Sequence, residues 1–192
     1  MSDRIRPLLE HPLRAMVPVP GGGFCLMSGY PGLEVGLDGE AYLDPQAASE
    51  ALEAMLGQGA DTLIVLAEAP ELPEGNHDML RRLCPEGLEL HFLPCRDFEV
   101  PDATFTARWN SLRPALAARF AAGGTIAMAC QYGAGRSGLL TALVLIEEGQ
   151  TPAAAIATVR RHFHEAVESE VQENWLLAQV SGNTLGESLS KG

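Results

Sequence analysis

Hydrophobic and polar positions divide the chain into short apolar runs separated by turn residues and amphipathic stretches. Four runs read as strands: residues 24–30, 61–68, 88–95 and 125–130. The second is apolar almost throughout, as expected of a strand covered on both faces. Helical periods lie between them. Asp44 followed by Pro45 marks a helix start, a capping acid with proline at the first helical position. That helix is expected to run to Gly57 with Leu52, Met55 and Leu56 on one face. A short helix is expected over 77–83. Asp102 is placed to cap the next one, where Phe105, Trp109, Leu112, Leu116 and Phe120 step by three and four along one buried stripe. An apolar helix should run from Ser137 to about Glu148. Another starts at Thr151-Pro152 with Ile156, Val159 and Phe163 inward, and a last one runs from Ser169 to about Val180.

The first residues carry Pro7, Pro12, Pro18 and Pro20 and read as an irregular arm over 1–21, ended by Gly21-Gly22-Gly23. Residues 183–192 read as a flexible tail. Strands alternating with helices imply a single α/β domain over 22–182, with a mostly parallel central sheet of about 4–5 strands and helices on both faces.

Composition narrows the partners. Lys plus Arg number 13 against 25 Asp plus Glu, a net charge of −12. Such a surface repels nucleic acid and anionic membranes, so neither is an expected partner. The cysteines Cys25, Cys84, Cys95 and Cys130 form no CxxC pair, which argues against a zinc site, and they are too sparse for a disulfide scaffold. No apolar run approaches the roughly 20 residues that span a bilayer. The N-terminal residues lack the apolar core of a signal peptide. A cytoplasmic location is the expectation.

The segment richest in chemistry is Cys130-Gln131-Tyr132-Gly133-Ala134-Gly135-Arg136-Ser137-Gly138, between a buried strand and an apolar helix. Gly133, Gly135 and Gly138 match a dinucleotide-binding glycine pattern, but that pattern requires a following strand ending in an acid. Here the next segment, from Thr151, reads as a helix. No Gly-Lys-Ser/Thr follows, which excludes an ATP-type loop. A buried structural cysteine is the plain alternative, yet it leaves Arg136 unexplained. A cation at a helix N-terminus is unfavourable unless an anion accompanies it. Five residues between Cys130 and Arg136 let the backbone curl so that its N–H groups and the helix end converge on one phosphate. Arg136 would grip two of its oxygens. Gly133 and Gly135 permit the dihedrals of such a ring, and the positive surroundings favour the nucleophilic thiolate of Cys130.

Cys-x5-Arg-Ser resembles the signature loop of the cysteine-based protein tyrosine phosphatases. The position of the loop and the length of the chain resemble the dual-specificity branch, kinase-associated phosphatases in particular. The resemblance covers about residues 22–180 and implies the single-domain phosphatase fold. It further implies cleavage of phosphotyrosine, and of phosphoserine or phosphothreonine, through a cysteinyl-phosphate. It assigns Cys130 as nucleophile, Arg136 as phosphate clamp and Gln131, Tyr132, Gly133, Ala134 and Gly135 as phosphate-cradling residues. Ser137 would donate to the thiolate. The string Asp97-Phe-Glu-Val-Pro101-Asp102 is similar to the family's acid loop and makes Asp97 the proton donor, with Glu99 and Asp102 as rivals. Gln172 matches a glutamine that places the hydrolytic water, although Ser169-x-x-Gln172 is also a capping box needing no catalysis. No cofactor or metal is implied, and the expected partner is a phosphorylated protein or a small phosphomonoester. The pattern departs at Ala129, where the family carries His. The loop interior also lacks Lys and Arg, which favours a singly phosphorylated substrate. A weakly active phosphate-binding module and a rhodanese-type sulfurtransferase remain as other readings. A redox pairing of Cys95 with Cys130 is a further expectation.

Overall fold

A computed structural model describes residues 12–180. The arm's first residues and the 183–192 tail lie outside the described residues. Seven strands and six α-helices follow one another: β1 Leu13–Pro18, β2 Phe24–Ser28, β3 Leu33–Val35, β4 Ala41–Leu43, α1 Pro45–Gly57, β5 Ala60–Val65, α2 Asn76–Leu83, β6 Glu89–Phe92, α3 Ala103–Ala121, β7 Thr125–Ala129, α4 Gly135–Glu147, α5 Pro152–His162 and α6 Glu170–Leu177.

The main sheet has the order β1-β2-β7-β5-β6. β2, β7, β5 and β6 are parallel and β1 is antiparallel to β2. This is the expected α/β architecture, a mostly parallel five-stranded sheet. Its faces carry separate cores. On one side Trp109, Phe120, Leu140 and Ile156 join residues of α3–α6 to the sheet. On the other, Leu52, Met55, Met79 and Leu80 bring in α1 and α2. α4 is buried all round from Gly135 to Ile146, which explains its uninterrupted apolar sequence.

The expected caps form. Asp44 accepts from the amides of Gln46 and Ala47, Asp102 from Phe105, and Ser169 from Gln172. Two regions differ from the sequence reading. Residues 13–18 form strand β1 rather than an irregular arm, so the folded domain starts before residue 22. Leu13, Ala15 and Val17 alternate inward, and the flanking prolines fall at the ends of an edge strand, where a missing N–H costs no ladder bond. Before α1 stands a hairpin, β3–β4, that the reading did not include. It turns at Asp38-Gly39, with the Asp38 carboxylate accepting from Glu40 N at 3.0 Å. Asp-Gly between short apolar stretches was its available signal.

β7 lies between β2 and β5. Helices α1 and α2 pack on one face, whereas the chain crosses to the other face through α3 before entering β7. The segment leaving β7 therefore emerges at the edge where connections diverge, the usual place for a ligand crevice in an open α/β sheet.

Candidate active site

Cys130 follows β7 directly and is 3% exposed. Its amide donates to Ser28 O at 3.2 Å, locking the start of the loop to the end of β2. The chain then bends outward through exposed Gln131 and Tyr132 and turns back at Gly133, whose φ is 96°. The Gly133 amide donates to Cys130 Sγ at 3.1 Å. A side chain at Gly133 would have its Cβ 2.5 Å from the carbonyl carbon of Ser28 and from the amide nitrogen of Gly29. Glycine is thus required by backbone conformation and by space together. Ala134 is the N-cap of α4, its carbonyl accepting from Gly138 N at 2.8 Å, and Gly135 is the helix's first residue. The loop therefore ends at a helix N-terminus, as its spacing implied.

Arg136 is 2% exposed. Nη1 donates to Glu71 Oε1 at 2.6 Å and to the carbonyl of Cys95 at 3.1 Å. Asp97 Oδ1 is 3.1 Å from Nε, yet it lies off the N–H direction, so buried Nε makes no hydrogen bond. The expected nucleophile, clamp and acid are thus within one site. Asp102, another candidate, has its Oδ1 accepting from Phe105 N at 2.7 Å, where it caps α3.

The expected acid loop has its own supports. Phe98 has φ 57°, in the left-handed region, and its side chain is exposed. Ser169 Oγ donates to Phe98 O at 2.8 Å, and Gln172 Nε2 contacts Glu99 O at 3.4 Å. Gln172 is wholly buried and its Oε1 has no partner. Only half of the capping box forms, because the Gln172 side chain turns to the acid loop instead of back to Ser169.

Ser137 departs from expectation. Its hydroxyl donates to Ser28 O at 3.4 Å, and the sulfur takes its hydrogen bond from Gly133 instead. Cys95, the expected redox partner, is buried, and desolvation pushes its thiol up to about 12. All four cysteines are free.

Two carboxylates escaped the sequence reading. Glu71 follows β5 in a single 3₁₀ turn, Ala69–Glu71. Burial raises its proton affinity, opposed by the hydrogen bond and charge of Arg136. Glu168 lies across Gly135, where any Cβ would collide with its carboxylate. Its proton affinity is raised by burial first and by the charge of Asp97 second. The only sequence signals were acids just past an inner strand and just before a helix cap.

No family model and no curated protein matches this chain. Solved structures do. The kinase associated phosphatase, with its catalytic cysteine replaced by serine, superposes with a TM-score of 0.67 at 19% identity, over 88% of this chain and 94% of that one. A putative protein tyrosine phosphatase from Leishmania major gives 0.65 at 18% identity, over 87% and 98%. Tk-PTP in its active form gives 0.60 at 21%, over 90% and 100%. The chain has the fold of the cysteine-based protein tyrosine phosphatases, in the compact form seen in the dual-specificity enzymes.

Proposed function

We propose that the protein is a cysteine-dependent phosphatase that hydrolyses phosphomonoesters, phosphotyrosine and also phosphoserine or phosphothreonine, through a cysteinyl-phosphate. The observation that carries this reading is the convergence of Cys130 Sγ, the Gly133 amide and the buried Arg136 guanidinium at the N-terminus of α4. Each supplies what phosphoryl transfer needs: a nucleophile, oriented dipoles and a planar cation.

In the first step the thiolate attacks phosphorus and the P–O bond to the leaving group breaks. Asp97 gives its proton to the departing oxygen. In the second, Asp97 takes a proton from water. The water oxygen bonds to phosphorus, and the P–S bond breaks with its electron pair returning to Cys130. Gln172 acts through the acid loop, which it holds at Glu99 O. The mechanism calls on no metal or organic cofactor. We assign the protein to the cytoplasm, a reducing compartment that keeps such a thiol free. No helix among the described residues is long and apolar enough to cross a membrane.

Ala129 bears on a second reading, a phosphate-binding module. Its side chain is fully buried in the α1–α2 core, and its carbonyl accepts from Leu66 N at 2.7 Å. The loop start is therefore held by backbone bonds and packing, without an imidazole. A sulfurtransferase would leave Asp97 without a role. The test is hydrolysis of an aryl phosphate and of a phosphopeptide panel. The wild type is expected to turn over both, and Cys130→Ser to turn over neither. Full activity in Cys130→Ser overturns the proposal. Phosphopeptide binding without turnover by the wild type supports the binding module, and transfer of sulfur from thiosulfate to cyanide supports the sulfurtransferase.

A further inference from the structure

Beside the phosphate loop lies a recess of about 450 Å³ that the mechanism does not use. Gly29 and Tyr30, just past the end of β2, line it. One wall is Leu33, Val35 and Ala41 of the β3–β4 hairpin, and the opposite wall is Gln131 and Tyr132. The last two are the residues immediately after Cys130, so the recess adjoins the loop.

The Tyr132 wall is fixed from outside the loop. Arg14, on edge strand β1, donates from Nε to Tyr132 O at 2.9 Å and stacks its guanidinium 4.3 Å from the ring centroid. Both contacts hold the ring in place though it is 51% exposed. The hairpin wall of the recess is apolar, since Leu33, Val35 and Ala41 face it, and Val35 is 68% exposed. Exposed apolar residues gathered beside a candidate site mark a binding surface. Asp38 and Glu40 stand at the hairpin's turn, so an acidic occupant would be repelled. The volume falls in the range of small-ligand clefts, about 300–1,000 Å³.

We infer that this recess is the specificity pocket of the enzyme, taking an uncharged apolar side chain adjacent in sequence to the phosphorylated residue of a polypeptide substrate. The inference rests on the phosphatase reading above. The phosphoryl group enters the Cys130–Arg136 loop, and the neighbouring side chain lies between Tyr132 and the hairpin. Arg14 is a positioning residue, since it acts through Tyr132. Without Lys or Arg in the loop interior, selectivity comes from this contact rather than from added phosphates.

The experiment compares kcat/KM for three phosphotyrosine peptides identical except for Leu, Gly or Glu on both sides of the phosphotyrosine, with an aryl phosphate as reference. Because burying a Leu side chain is favourable, the Leu peptide is expected to exceed the Gly peptide by roughly tenfold or more. The Glu peptide is expected to fall below both. Val35→Asp places a carboxylate on an exposed hairpin position and should bring the Leu and Gly peptides to equal kcat/KM. The readout is a ratio within one variant, so a general loss of active protein cancels. Arg14→Ala should shrink the same ratio through KM. Equal rates for all three peptides in the wild type, or a Leu preference that persists in Val35→Asp, overturns the inference while leaving the phosphatase reading intact. Preference for a phosphorylated lipid in vesicles over every peptide overturns it as well. No turnover of the aryl phosphate or any peptide overturns the phosphatase reading itself.

Discussion

Arg136 and Asp97 meet directly, with the Asp97 carboxylate 3.1 Å from the guanidinium Nε. The proposed clamp and the proposed acid therefore occupy each other's place. A phosphoryl group that takes the planar fork of Arg136 must displace Asp97, and the acid can then turn toward the leaving oxygen. The hinge is at hand, since Phe98 next to it already holds a left-handed conformation.

This exchange gives Asp97→Asn two opposite effects. Loss of the proton donor should lower kcat by about 10²–10⁴-fold. Loss of the competing charge should tighten the binding of an inert oxyanion such as vanadate, read as a lower inhibition constant in the same variant. A weaker or unchanged constant would mean that Asp97 does not compete for Arg136.

Glu71→Ala removes the other carboxylate on Arg136. It leaves a buried cation with one partner fewer, and is expected to cost about 1–3 kcal/mol, less than a fully buried pair because Glu71 keeps 20% side-chain exposure. Thermal unfolding would register the loss. Added vanadate should raise Tm more in the variant than in the wild type, because it supplies the missing anion.

Gly133→Ala should abolish activity. Its added Cβ would press on the backbone of Ser28 and Gly29, and the residue would be strained at φ 96°. Circular dichroism separates the outcomes. Retained secondary structure with lost turnover is expected, whereas normal turnover would refute the loop geometry.

Glu147 predicts a pH effect on stability. Burial pushes its carboxyl up to about 7, against an ordinary 4.5, although Trp109 Nε1 donates to it at 3.1 Å. Between those values the folded chain holds a proton that the unfolded chain has released. Stability from this group is therefore full below about 4.5 and lost as pH rises through about 7, by at most about 3 kcal/mol. Glu147→Gln should flatten this fall, and Tm measured from pH 5 to 8 in both proteins checks it.

The helix starts were legible because their determinants are local. Asp44, Asp102 and Ser169 cap the helices they precede, and a cap needs only the next three residues. Cys130 and Arg136 were legible for a similar reason, as fixed spacing in a turn dictates their convergence. β1 was hidden because its prolines outweighed a short alternation whose meaning comes from pairing with β2. Glu71 and Glu168 were hidden more deeply. Neither has a local signature, and only the return of the chain from β5 and α5 brings them to Arg136 and Gly135. The destination of the Ser137 hydroxyl likewise depends on where β2 ends.

The place of β7 between β2 and β5 has a consequence for synthesis of the chain. During translation residues 24–65 are made long before residues 125–129, so two apolar strand edges wait without the partner that joins them. For that interval the nascent chain is most exposed to edge-to-edge association and most in need of a chaperone. Closure of the sheet delivers Cys130 at the same moment, because its amide bonds to Ser28 as β7 docks. The proposed nucleophile thus reaches its place in the site only as the sheet closes.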